Sequence, residues 1–312
     1  MVYKIFKNSL LSLFAAAIII PTSIVILGTF KTDLEIYTKP LALPKSFNLD
    51  NFKALFADGQ MLTPFKNSVI VSVFSVFFTL LFASMVAFAI SRSITITGKV
   101  LFGLFALGLA IPGQINIVPI FTLFVKLGLN NSLLGLILVN IALTLPISVF
   151  IITAFFKDLP KEMFESAGLD GANHWRIYRS IALPLARPAV GATGIFLFVI
   201  TWNDLLYPLM LINEASKKTL PLVLIDFKGE FATSYSMLFT AIIVASIPMV
   251  VMYIVAQKSF IAGLTAGAVK GMRVANKGVV RTHCSAATGE QSVYSFSRRG
   301  NSATHFWRRC KP

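Results

Sequence analysis

The chain is short of charge. Only 13% of its 312 residues are Asp, Glu, Lys or Arg, about half the share of an average soluble domain. With 56% hydrophobic residues, it has too few polar side chains to cover a soluble fold of this size. Acids are scarcer still, 13 against 28 Lys and Arg, leaving a net charge of +15. Cysteine is nearly absent: Cys284 and Cys310 both fall close to the C-terminal end, so neither can staple the preceding chain. No repeat of fixed period is visible.

What is abundant is long apolar runs. Six stretches lie near the roughly 20 residues that cross a bilayer as helix: 10–30, 67–90, 100–125, 132–156, 188–212 and 235–260. They predict an all-α membrane protein with six transmembrane helices. The first run follows Lys4 and Lys7 and is longer than the core of a cleavable signal, so it reads as an uncleaved span. A polar loop, 31–65, carries Pro40, Pro44 and Pro64. Residues 1–66 therefore form a first helix and its loop, and 67–260 a five-helix core. The third run is expected to be interrupted around Pro112, Gly113 and Pro119.

Lys and Arg in the loops set the orientation. One side holds 11 cations and 4 acids, and its two short links, at Lys4 and Lys7 and at Arg92 and Lys99, are purely basic; the other holds 9 cations and 7 acids. Both termini are thus expected in the cytoplasm. The basic residues sit in short loops and in the last 41 residues, with no basic groove, so no nucleic-acid partner is expected. Residues 272–312 are rich in Gly, Ser, Thr, Arg and Asn and carry +7 without apolar periodicity. They are expected to be a disordered basic tail outside the fold, with attachment to a membrane surface as the other reading.

Covalent chemistry finds no foothold. His174, His283 and His305 all lie outside the six runs, so no His and carboxylate cluster with metal-ligand character arises within them. The one Gly-Lys pair, Gly98-Lys99, runs into Val100 and follows Ser93 by five residues, which is not a phosphate-cradling loop. The chain is expected to be no enzyme and to bind no metal or cofactor. If ATP drives it, another subunit binds the nucleotide.

The polar segment LPKEMFESAGLDGANHWRIYRSIALPLARP, residues 159–188, predicts two short helices. The first runs from Pro160 and Lys161 to Leu169. Asp170-Gly171 breaks it, and Asp170 is expected to N-cap a second helix reaching Ser180. Met163 and Phe164 are expected on an exposed side, interleaved with Glu162, Glu165 and Asp170. Two readings fit that pattern: a helix lying on the bilayer surface, or a helix docking onto a partner protein.

The segment resembles the EAA-x3-G-x9-I-x-LP signature of permease subunits in binding-protein-dependent ABC importers. Glu165, Ala167, Gly171, Ile181, Leu183 and Pro184 fall on its spacing, and Ser166 departs from the middle Ala. The resemblance implies a cytoplasmic coupling helix between spans four and five that docks an ATPase through Phe164, Glu165, Ser166, Ala167, Asp170 and Gly171. WNDLLYPL at 202–209, TLPLVL at 219–224 and GLTAGAVKG at 263–271 are similar to the carbohydrate-importing, maltose-permease-like branch. Residues 261–271 match the family's end, and 272–312 depart from it. The implied partners are a second permease subunit, two ATP-binding subunits, an extracytoplasmic solute-binding protein, a sugar and membrane lipid. The implied location is the bacterial inner membrane.

Polar residues within the spans are the remaining candidates. Asn116, Asn140, Trp202, Asn203, Asp204 and Tyr207 either line a translocation path or hydrogen-bond between helices. On a continuous helix Asn203 and Tyr207 would share a face, with Asp204 one step around. Asp204 is the only carboxylate in any span, which disfavours a secondary carrier or channel working without ATP.

Overall fold

The computed structural model of the chain describes residues 2–57, 59, 61–226 and 234–255. Among these the fold is all helix. The order is α1 Val2–Gly28, α2 Asp33–Thr38, α3 Asp50–Ala57, α4 Leu62–Arg92, α5 Ile96–Ala110, α6 Ile117–Lys126, α7 Leu133–Asp158, α8 Glu162–Leu169, α9 His174–Ile177, α10 Leu183–Leu185, α11 Arg187–Trp202, α12 Leu206–Leu211 and α13 Leu220–Asp226. The last described helix is α14, Tyr235–Val255. The end of the sixth run, the 261–271 stretch and the tail lie outside the described residues.

Helices α1, α4, α7 and α14 are each long and apolar enough to cross a bilayer. Two bent pairs meet the same standard only when joined: α5 with 113–126, bent by 86°, and His174–Leu185 with α11, bent by 73°. The chain thus offers four to six spans. The first bend is the interruption expected in the third run. Ile111 is held extended at ψ 112° because Pro112 follows it, and a residue before proline disfavours helical backbone. The fifth run is not the single helix expected over 188–212. It ends at Trp202, resumes at Leu206, and is entered through a π-helical turn, Tyr178–Ala182, that leads into Leu183-Pro184.

The bundle is built on α4 and α7, whose pairing is the most extensive among helices α1 to α13. Along α4, Ser68, Ser72, Ser75, Thr79, Ala83 and Ala87 are buried and recur every three or four residues, which places them on one face. Small side chains there let the partner helix approach closely, and their hydroxyls bond across or along it. Thr79 and Thr144 share a hydrogen bond of 3.1 Å, and the Thr144 and Ser148 hydroxyls donate one turn back along α7, each at 2.7 Å. Helix α11 packs against both α4 and α7, and α5 against α7. The α1 surface is exposed along its apolar length.

The ends of α7 organise the two loop regions. Its 26 residues span about 39 Å. At the start, Ser132 N-caps the helix through Gly135 N–H at 3.0 Å. Beside it Asn131 adopts φ 52°, a conformation Asn tolerates better than most residues. Its amide oxygen accepts from Asn213 and Glu214 N–H at 3.2 and 3.0 Å, and its amide nitrogen donates to Glu214 at 3.3 Å. Glu214 also pairs with Lys217 at 2.8 Å and accepts from Ser216. The same loop is fixed to the start of α4, where Asn67 donates to the Ser216 and Lys218 carbonyls and Leu220 N–H donates to Ser68.

Candidate functional site

At the far end of α7 the chain turns into α8. Glu162 and Glu165 occupy the first turn of α8, where carboxylates complement the positive end of the helix. The helix closes in a Schellman arrangement. Gly171 N–H donates to the Gly168 carbonyl and Ala172 N–H to the Ala167 carbonyl, both at 3.0 Å. That geometry needs a left-handed residue, and Gly171 supplies it at φ 77°. Asp170 is the C-cap of α8 rather than the N-cap of the next helix. The N-cap is Asn173, whose side-chain amide oxygen accepts from Arg176 N–H at 2.8 Å. An N-cap sits immediately before its first helical turn, and the two residues that close the Schellman motif push that turn beyond Asp170.

The two faces of α8 differ. Phe164 and Ala167 are buried against Phe88 and Tyr178, which corrects the expectation that Phe164 is exposed beside Met163. Its ring is covered by Arg92, whose guanidinium carbon lies 3.7 Å from the ring centre. Arg92 also donates to the Phe156 carbonyl at 2.5 Å, so one side chain joins the ends of α4 and α7 to α8. Tyr178 adds a 2.8 Å hydroxyl hydrogen bond to Ser84. Glu165, Ser166, Asp170 and Gly171 face outward, next to Leu169, a leucine left 91% exposed. Arg92, Leu169 and Trp175 did not stand out in the sequence. A cation closing an apolar run is a common feature with a topological explanation, and only the fold brings Arg92 onto Phe164.

The second region is the break in the fifth run. Trp202 is 3% exposed, stacked on Phe198 at 5.5 Å and edge-on to Phe65 at 5.9 Å, with its ring N–H donating to the Ala245 carbonyl at 3.1 Å. Asn203 caps α11, is exposed, and donates to the Val199 carbonyl at 2.8 Å. Because the helix stops there, Asn203 and Tyr207 do not share a helical face as a continuous span would require. Asp204 instead accepts from Tyr207 N–H at 3.4 Å and from the Asn140 amide at 3.5 Å. The buried Tyr207 hydroxyl donates to the Gly113 carbonyl at 3.0 Å, the first residue of the turn Gly113–Asn116. Asn140, Asp204, Tyr207 and the turn holding Asn116 are thus linked in series. Trp202 borders, with Ser72, Asn140, Asp204 and Thr219, a cavity of about 10 Å³. Among the described residues, no group of three His, Cys, Asp or Glu could hold a metal ion.

The family model described as the binding-protein-dependent transport system inner membrane component matches residues 79–264. The chain belongs to that family. A Halalkalibacterium halodurans permease of an arabinooligosaccharide transport system is 34% identical, the match covering 81% of this chain and 91% of the relative. A Streptococcus mutans permease of a multiple sugar-binding transport system is 33% identical, over 85% of this chain and 96% of the relative. Such relatives are transport permeases, and this family member is no enzyme. In fold, the chain is similar to one from a bacterial ABC transporter that imports the acidic polysaccharide alginate. The TM-score is 0.76 at 21% identity, covering 83% of this chain and 96% of that one.

Proposed function

We propose that this permease forms half of the membrane pathway of an ATP-driven sugar importer. It crosses the bacterial cytoplasmic membrane six times with both termini inside. A second permease subunit completes the path, two ATP-binding subunits supply the work, and an extracytoplasmic solute-binding protein delivers the sugar. Nucleotide binds to the partner ATPase and no cofactor to this chain.

The observation that carries this reading is the two-sided α8. One face is clamped to the bundle by Phe164 and Ala167, and the other presents Glu165, Ser166, Asp170 and Gly171 to the outside. A helix held rigidly from behind and free in front transmits force between a docked partner and the spans, as a coupling helix must. The sugar specificity rests on the relatives' transport systems and on the Asn116, Trp202, Asn203, Asp204 and Tyr207 region. There the exposed Asn203 amide and the half-buried Asp204 carboxylate complement hydroxyls, while Trp202 and Tyr207 are buried behind them and hold the region in place.

Gly171→Leu tests the reading in the complete transporter reconstituted in vesicles. Nothing lies within 4 Å of the position a side chain would first occupy, so insertion should be normal. Uptake and ATPase association should both fall, since the left-handed turn disfavours any residue with a Cβ. Unimpaired uptake would overturn the coupling role.

A further inference from the structure

A groove of about 400 Å³ opens where the last turn of α4 meets α9. Its wall is apolar, from Met85, Phe88 and Ala89, and its other end carries Arg92, His174 and Trp175. No acid lines it. Among the described residues no carboxylate lies within ion-pairing distance of Arg92. Its guanidinium is occupied by a carbonyl and a ring face, both uncharged, so among the described residues nothing neutralises its positive charge at the groove.

The groove continues a stripe on α4. Phe74, Phe78, Phe82, Met85, Ala89 and Arg92 follow one another at three- and four-residue steps, which puts them on one face of the helix. Phe74, Phe82, Met85 and Ala89 are exposed there, and the Phe74, Phe78 and Phe82 rings stack along it at 6.3 and 6.2 Å. From Arg92 to Phe82 the helix rises about 15 Å, the depth of one leaflet's hydrocarbon. A ligand that fits is apolar for that length and anionic at its end. A soluble partner meets the groove alone. A phospholipid meets both, with its phosphate at Arg92 and its chain over Ala89, Met85 and Phe82.

We propose that this groove seats an anionic phospholipid of the cytoplasmic leaflet. The inference rests on the orientation given under Proposed function, which puts the end of α4 at that face. Two consequences follow from position. The lipid touches α9 through His174 and Trp175, and Arg92 ties the same site to Phe164 beneath the coupling helix. Lipid composition therefore bears on coupling.

The test uses the complete transporter in vesicles doped with photoreactive phosphatidylglycerol or photoreactive phosphatidylcholine, with adducts mapped by peptide mass spectrometry. Adducts are expected at 85–93 and 174–178, with about a five-fold preference for the anionic lipid, the effect of one cation near a membrane surface. Arg92→Gln should equalise the two lipids. Because Arg92 also braces α8, Ala89→Phe is the second variant. It fills the groove while keeping Arg92 itself, and it should remove adducts of both lipids there. Equal labelling of the unaltered transporter by both lipids would reduce the site to ordinary boundary lipid and overturn the proposal. Labelling by neither would show a protein partner seated there, and would also overturn it. Uptake measured in the same vesicles separates the two readings: ATP-driven uptake without lipid preference sinks the lipid site alone, whereas absent ATP-dependence sinks the proposed function.

Discussion

The chain interrupts helix in two places that carry candidate function, and it does so by opposite means. At Gly171 the turn is made by backbone alone: two carbonyls, two N–H groups and a positive φ, with open space around the glycine. At 203–205 the break is held by side chains that bond to other elements, Asp204 to Asn140, Tyr207 to Gly113 and Trp202 to Ala245. A backbone-made turn leaves its outer surface free for a partner. A side-chain-made break ties any movement of the fifth run to the third, fourth and sixth. Substitutions should therefore separate cleanly, with docking effects at the first site and folding or gating effects at the second.

The largest expected effect on stability is at Trp202. Replacing it with Ala removes the Phe65 and Phe198 ring contacts and the bond to the Ala245 carbonyl, and it leaves a cavity in a closed apolar cluster. Truncations of this kind cost about 3–5 kcal/mol. The detergent-purified transporter should lose folded permease on heating at a markedly lower temperature. Unchanged thermal unfolding would mean that the side-chain-held break is not the stiffer of the two.

Gly171→Val comes next. A β-branched residue forced into the left-handed region costs roughly 1–2 kcal/mol, well below the Trp202 change, yet its effect on uptake should be greater than its effect on unfolding. A melting curve shifted as far as that of Trp202→Ala would erase the contrast between the two breaks.

The contrast also explains how much could be read from the sequence. Long apolar runs announce themselves because the bilayer demands them, and Pro112 marks a bend because its ring constrains its own neighbour. The α8 turn was legible for the same local reason, since Asp170-Gly171 is a breaker whatever surrounds it. The break after Trp202 carries no Pro or Gly at its centre, and in the sequence only Pro208, several residues on, permits a kink in that span. Its cause is tertiary: Asn203 and Asp204 turn their hydrogen bonds to Val199, Asn140 and Tyr207. The sequence puts Phe164 outside because α8 alternates polar and apolar residues, and distant residues, Phe88, Arg92 and Tyr178, decide which face is covered.

Asp204→Asn is expected to cost less stability than either change above, because volume is kept and one side-chain oxygen can still accept, although the bonds from Tyr207 N–H and the Asn140 amide cannot both be retained. It separates charge from packing. If the carboxylate lines the sugar route, uptake falls while the purified assembly persists; uptake equal to that of the unaltered transporter would leave Asp204 a helix-joining residue only.

The smallest effect lies at the other end of α7, in the loop clasp around Glu214. Hydrogen bonding from Lys217 first, then Ser216, holds this carboxyl below the ordinary glutamate range, with Lys217's charge and Asn131 adding to it. A carboxyl depressed on folding binds its proton more readily in the unfolded chain. The clasp therefore contributes stability that is fully present above the unfolded glutamate's pKa and is lost as pH falls through the lower, folded value. Since Glu214 is exposed to solvent, the contribution is screened and should shrink further in high salt. Thermal unfolding of the assembly followed from neutral to acid pH should show a small acid-side loss in the unaltered chain. Glu214→Gln should remove that component and leave any loss from other carboxyls in place. The comparison is sharpest at low salt, where the two curves should be offset above the unfolded value and converge as pH falls through the lower, folded one. Curves that stay parallel through the acid range would show that the clasp holds through Asn131 and the backbone alone.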